Sequence, residues 1–202
     1  MIVLKPLCLA AISVSALMVT SPVLAAQYKV DAAHSSVGFS LRHLMVSTVR
    51  GKFNDFGGEF TFDPKTGELS AKDFVAKTAS IDTDNAKRDD HLRNPDFFDA
   101  GKCPEVKVSN SKVKKTGDKT YEWTGDLTMH CVTKPVKFNV EYIGETKDKD
   151  SGNRVGFDAK AKIKRSDWNL KYNKVLEAGG VAISDEVSIE INVEAVEQVA
   201  KK

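Results

Sequence analysis

Beyond its N-terminal stretch, the chain of 202 residues has no apolar run long enough to cross a membrane, which takes about 20 consecutive residues. Neither sign of charge dominates, since 30 Lys and Arg stand against 28 Asp and Glu, so no acidic or basic partner is implied. Basic and aromatic residues are not interleaved on one surface, which excludes a nucleic-acid-binding face. The chain has 3 cysteines and no C-x-x-C, which argues against a redox dithiol or a thiolate zinc site. It also lacks G-x-S-x-G, H-E-x-x-H and a P-loop.

What is present begins with a leader. Lys5, an apolar run from Leu7 to Thr20, and Ala25-Ala26 read as a secretory signal peptide over residues 1–25, leaving 26–202 as one domain. Cys8 precedes the apolar run and lacks small residues before it, so it does not read as a lipidation site. The mature chain is then exported to a compartment that permits oxidation. Spacing alone does not decide whether Cys103 and Cys131 pair or are simply two small buried residues.

Alternation of apolar and polar residues dominates the domain. It runs through Val37, Phe39 and Leu41, then Phe56 to Phe62, then Leu69 to Thr78. It resumes at Val106 and Val108, Tyr121 to Met129, Val136 to Tyr142, Phe157 to Ile163 and Val187 to Val193. Asp63-Pro64-Lys65-Thr66-Gly67 reads as a turn, and Lys147 to Asn153 as a polar hairpin loop. Lys160, Lys162, Lys164 and Arg165 alternate with Ala159, Ala161 and Ile163, which reads as a strand with one solvated face. The pattern is all-β: about eight antiparallel strands with one or two short helices. Such strands close as a sandwich or as an up-and-down barrel, and long strands with hairpin connections favour the barrel. Exposed strand edges leave a homodimer open.

At about eight strands a barrel either fills with side chains or holds one small ligand. The inward sets Phe39, Leu41, Phe60, Phe62, Val106, Met129, Val136 and Phe138 are bulky, whereas Gly58, Gly156, Ala159 and Ala161 would thin one wall. A dry core and an apolar cavity both fit. One stretch breaks the alternation, Ser80 to Asp99, which joins Arg88, Asp89 and His91 to Leu92, Phe97 and Phe98, with Pro95 between. Asp82 or Asp84 is expected to cap a short helix there, Asp89 to pair with Arg88 or Arg93, and Phe97 and Phe98 to line or plug the barrel end. Asp31 and His34, three apart, offer a carboxylate beside an imidazole. The spacings of His34, His43 and His91 fit no metal-ligand pattern well, so neither a metal nor a catalytic constellation is read, and His34, Arg88, Asp89 and His91 are taken as a structural polar cluster.

Tyr28-x-Val30-Asp31-x-x-His34-Ser35, Gly51-Lys52-Phe53-x-x-Phe56-x-Gly58, Ile81-Asp82-Thr83, Arg88-Asp89-x-His91-Leu92 and Asp96-Phe97-Phe98-Asp99 form a recurring set of motifs. With Gly125-Asp126-Leu127-Thr128, Val132-Thr133-Lys134-Pro135-Val136 and Arg165-Ser166-Asp167-Trp168, they make the mature chain resemble the YceI-like family of secreted bacterial proteins. The resemblance implies a lipocalin-like barrel in the periplasm. It also implies binding or transport of a long isoprenoid, quinone or similar amphiphilic lipid in the apolar interior, in a stress-related role and without a further cofactor. Two positions depart from the family pattern: Cys131 stands where glycine is usual and Cys103 where an aromatic is common. A rival reading is an enzyme or antioxidant acting on a lipid-soluble substrate through His34, Arg88, Asp89 and His91. A third is an interaction module with a dry barrel.

Overall fold

The computed structural model describes residues 25–149, 152–175 and 181–199. The expected leader, apart from Ala25, lies outside the described residues. Eleven strands follow in order: β1 (Ala26–Val30), β2 (Ser36–His43), β3 (Ser47–Phe53), β4 (Phe56–Asp63), β5 (Glu68–Lys77), β6 (Ile81–Asp82), β7 (Glu105–Lys115), β8 (Thr120–Met129), β9 (Val132–Thr146), β10 (Arg154–Lys164) and β11 (Ile183–Glu197). The helix α1 (Ala86–Arg93) sits between β6 and β7.

These eleven segments occupy eight positions around a closed antiparallel barrel. β11 pairs along one edge with β2, residues 183–192 against 36–43, and then with β1, residues 195–197 against 28–30. β1 and β2 are thus one strand interrupted by a 3-10 turn at Ala32–His34, which Asp31 caps by accepting from the Ala33 N–H. β3 and β4 likewise follow each other along β2 and β1. β5 and β6, separated by a 3-10 turn at Thr78–Ser80, follow along β4 and β3. The remaining strands pair in sequence from β7 to β11. The choice between sandwich and barrel is settled by the β1–β11 and β2–β11 ladders, which join all eleven strands of the described residues into one closed sheet.

β3 carries little alternation because Gly51 stands where an apolar residue would. A Cβ there would lie 2.4 Å from the tip of the Phe39 ring and 2.7 Å from Thr83. The missing side chain makes room for Phe39. The turn after β4 forms as read, with the Gly67 N–H donating to the Asp63 carbonyl at 2.7 Å and Gly67 at φ 71°. Gly156 does not point inward as expected: on β10 the buried side chains are Val155, Phe157, Ala159 and Ala161, and Gly156 lies outward beside a bulge.

The two ends of the barrel differ. One is closed by the short connections 64–67 and 116–119, together with residues 147–149 and 152–153 between β9 and β10. Behind them Phe62 packs on Tyr142 and Phe157 at centroid distances of 4.9 and 5.0 Å, filling the interior with rings. The other end carries the β2–β3 tip, the insert 83–104, the β8–β9 turn and residues 165–175 and 181–182. A disulfide between Cys103 and Cys131, with Cα atoms 5.3 Å apart, fastens the insert to the β8–β9 turn. In that turn His130 and Cys131 have φ of 49° and 56°, the left-handed region that glycine enters without strain. Among the described residues no helix is long and apolar enough to cross a membrane.

Candidate functional site

A cavity of about 140 Å³ lies inside the barrel beneath the insert. Of the residues expected to form it, Phe39, Leu41, Phe97, Phe98, Val106, Met129 and Phe138 are in its wall. Phe60 lines a second, smaller cavity of about 50 Å³ nearer the ring-filled end. Phe62 and Val136 line neither and belong to the packed core. Phe62 has inward parity but stands at the ring-filled end, where neighbouring rings occupy the space; Val136, paired with Gly125 at the height of the cavity, is buried among its neighbours instead of lining the space. Phe74, Trp123, Ile191 and Val193 face both cavities, so the rings of Phe74 and Trp123, 5.2 Å apart, form the partition.

The insert is held over the cavity by hydrogen bonds that its sequence only partly announces. Asn85, rather than Asp82 or Asp84, caps α1, accepting from the Arg88 N–H at 3.1 Å. Asp89 is buried and bonds to neither arginine. Its Oδ1 accepts from the Thr83 N–H at 2.9 Å and the Thr83 hydroxyl at 2.5 Å. Arg88 closes the same knot, donating from Nε to Thr83 Oγ1 and from Nη2 to the Thr83 carbonyl, both at 2.7 Å. Arg93 donates to the carbonyls of Ala79 and Ile81 and pairs with Asp90. With α1 so fixed, Leu92 faces the cavity and its carbonyl accepts from the Phe98 N–H at 3.0 Å. Phe98 then sets its edge against Phe53 at 6.0 Å.

The four polar residues expected as one cluster are not one. Arg88 and Asp89 share Thr83. His91 lies at the surface of the insert, bonded to Asp96 at 3.1 Å and edge-on to Phe97 and Tyr172. His34 sits on the turn between β1 and β2 and bonds to Asp31 at 3.0 Å. There Arg154 Nη1 reaches both Asp31 at 2.7 Å and Glu194 at 2.5 Å. Hydrogen bonds from Arg154, then from His34, lower the Asp31 carboxyl to a pKa of about 2. Asp31, His34 and Glu194 have the donor types of a metal site, but the Arg154 guanidinium already bridges the two carboxylates and offsets one of their charges.

One wall residue was read differently from its sequence. Arg165 is not part of the solvated face that Lys160, Lys162 and Lys164 form: the strand ends at Lys164 and a 3-10 turn at Arg165–Trp168 carries Arg165 inward. It is 6% exposed and lines the cavity. Nε donates to the Ser184 carbonyl at 3.0 Å, and Nη1 to the carbonyls of Leu170 and Tyr172. Burial pushes its pKa down, yet an arginine remains protonated in a protein.

Comparison with known proteins fits this architecture. Residues 28–195 match the YceI-like domain. The chain belongs to the YceI-like family. A UPF0312 protein of Photorhabdus laumondii is 46% identical over 157 residues, 77% of this chain and 81% of the relative. Among solved structures, BcnA of Burkholderia cenocepacia superposes with a TM-score of 0.72 at 26% identity, over 83% of this chain and 99% of that one. A domain of Saccharophagus degradans described as polyisoprenoid-binding superposes with a TM-score of 0.59 at 16% identity, over 86% of this chain and 99% of that one, a likeness of fold.

In this YceI-like barrel the wall is also incompletely laced. β5 pairs with β7 only over residues 74–77 and 105–108, so Leu69 and Ala71 face Val113 across an unpaired stretch beside the smaller cavity. The cavity end carries exposed apolar side chains at Leu44, Met45 and Val46 on the β2–β3 tip and at Val175 and Val181 on the facing segment. The two loops are joined by a bond from the Leu44 N–H to the Ala182 carbonyl at 2.8 Å.

Proposed function

We propose that this YceI-like protein is a non-enzymatic periplasmic carrier that takes the chain of a polyisoprenoid or comparable long lipid into its barrel. The observation that carries the reading is the cavity itself: its wall is apolar except for Arg165, and it is covered by an insert fixed through hydrogen bonds at its base. Apolar burial alone supplies the affinity such a ligand needs, about 0.8 kcal/mol per CH₂ and about 8 kcal/mol for ten carbons before ordering costs. The polar residues a reaction would require are engaged elsewhere, Arg88 and Asp89 on Thr83 and His34 on Asp31. The shared fold of the Saccharophagus degradans polyisoprenoid-binding domain supports the same reading, and the expected leader supports the compartment.

A volume of about 140 Å³ resembles an engineered pocket of about 150 Å³ that admits benzene. A long chain therefore enters by moving side chains, with Phe97 and Phe98 yielding at the insert and Phe74 at the partition. The test is native mass spectrometry of the protein purified from its own periplasm, followed by organic extraction. The expected result is a co-purifying lipid, with prenols added to the stripped protein raising its melting temperature. Absence of any lipid together with an unchanged melting temperature overturns the reading.

A further inference from the structure

A guanidinium has five N–H donors. In Arg165 three are committed, one from Nε to Ser184 and two from Nη1 to Leu170 and Tyr172. The two on Nη2 donate to none of the described residues, and among those residues no carboxylate lies within salt-bridge distance of Arg165. The side chain is nonetheless more than nine-tenths buried and stands in the wall of the cavity. Buried charges in proteins are paired, because an isolated one carries a large desolvation penalty. Three carbonyl dipoles offset part of that penalty, and the Asp185 carboxylate, itself bonded to Ser166, attracts the guanidinium without touching it; neither occupies Nη2. The carbonyls also hold the guanidinium rigidly, which leaves Nη2 pre-oriented.

The height of Arg165 along the barrel fits a role toward a ligand. Its three carbonyl partners lie in the segment 170–172 and at the start of β11, at the end covered by the insert. A lipid inserted tail first toward the ring-filled end leaves its head at this level. We propose that Arg165 is the head-group receptor of the cavity and that the ligand is a single-chain lipid with an acidic head, a carboxylate or a phosphate. An oxyanion on Nη2 supplies a directly bonded counter-charge through charge-assisted bonds, roughly twice as strong as neutral ones. A neutral alcohol or ester brings no such charge to Nη2. The inference rests on the lipid-binding reading and narrows it to a chemical class.

The experiment titrates the delipidated mature protein with matched ligands at about pH 8, where both acidic heads are ionised. One series is palmitate, hexadecanol and methyl palmitate; the other is farnesyl phosphate and farnesol. Quenching of tryptophan fluorescence reports occupancy, since Trp123 lines the cavity. In the wild type the acid of each series is expected to bind at least about tenfold tighter than its neutral partner. Arg165→Gln is expected to shrink that ratio to below about threefold while the alcohols keep their affinity, and Arg165→Lys to keep most of it. A merely structural arginine would weaken acid and alcohol alike. Preference for phosphate or for carboxylate identifies the source of the head. Equal binding of acid and alcohol by the wild type overturns the proposal without any variant having to fold, and so does a ratio that survives Arg165→Gln. Binding of the neutral ligands alone leaves the carrier reading standing, whereas binding of none removes both.

Discussion

Phe74 is the side chain on which ligand length is expected to depend. Its ring separates the two cavities, stacks near Phe60 at 6.5 Å and leans on Trp123 at 5.2 Å. The Trp123 indole is anchored by a 2.9 Å bond to Ser111, so Phe74 is the freer half of the partition. Gly58 lies directly beneath it: a Cβ there would be 2.5 Å from the ring. Phe74→Ala joins spaces of about 140 and 50 Å³ and adds the volume of the ring. Truncating a core phenylalanine costs about 3–5 kcal/mol, and Phe74 is half-buried, so about 3 kcal/mol is expected from denaturant melts. In exchange the tail gains room, at about 0.8 kcal/mol per CH₂ buried. The assay is a displacement titration with prenols of increasing length. In the wild type the gain per isoprene unit is expected to fall after about one or two units, since a cavity of this size admits about one benzene ring. In Phe74→Ala the gain continues through further units. Curves of log Kd against chain length that superimpose for the two proteins would refute the partition.

Three more outcomes follow from the covering insert and the outer wall. Reducing the Cys103–Cys131 bridge, or replacing both cysteines by serine, releases a 28-residue loop in the unfolded chain; about 3–4 kcal/mol of stability is expected to go with it, read as a lower urea midpoint, and an unchanged midpoint refutes the bridge. Asp89→Ala strands the N–H and hydroxyl of Thr83, at about 1–3 kcal/mol for each group left unpaired. It is expected to speed ligand release and amide exchange at Thr83 without altering the acid-to-alcohol ratio; equal release rates would mean the insert does not gate the cavity. Asp31 titrates at about 2 when folded against 3.8 in a free chain, so its contribution is present above the higher value and disappears as pH falls through the lower. Urea midpoints across that window are expected to drop less steeply in Asp31→Asn than in the wild type, and identical slopes would remove Asp31 and Arg154 from the account of acid stability.

How far the sequence reveals this molecule depends on the range over which each signal acts. Strands such as β9 and β10 are legible because inward and outward side chains alternate locally. β3 is not, because Gly51 gives its space to Phe39 from a neighbouring strand. Closure is a matter of register between β1 and β11, set by residues at opposite ends of the domain, and local alternation is silent about it. The same limit applies inside the site. Parity says that Phe39 and Phe62 both point inward, but it does not give height, and height separates a cavity wall from a packed floor. The insert was legible as a unit because Pro95 and a dense run of charge interrupt the alternation. The partner of Asp89 was not, since the obvious arginines lay close in sequence while the acceptor geometry selected Thr83. Arg165 is the sharpest case. After three alternating lysines it reads as one more solvated cation, yet the chain turns at Lys164 and the next side chain goes inward. Its odd position continues the inward parity of Ala159, Ala161 and Ile163, so only its charge calls for solvent, and burying that charge with no carboxylate of the described residues in direct contact breaks a rule. Natural sequences tolerate such breaks where a ligand restores the balance, which is why the mismatch at Arg165 points to the chemistry of the head group.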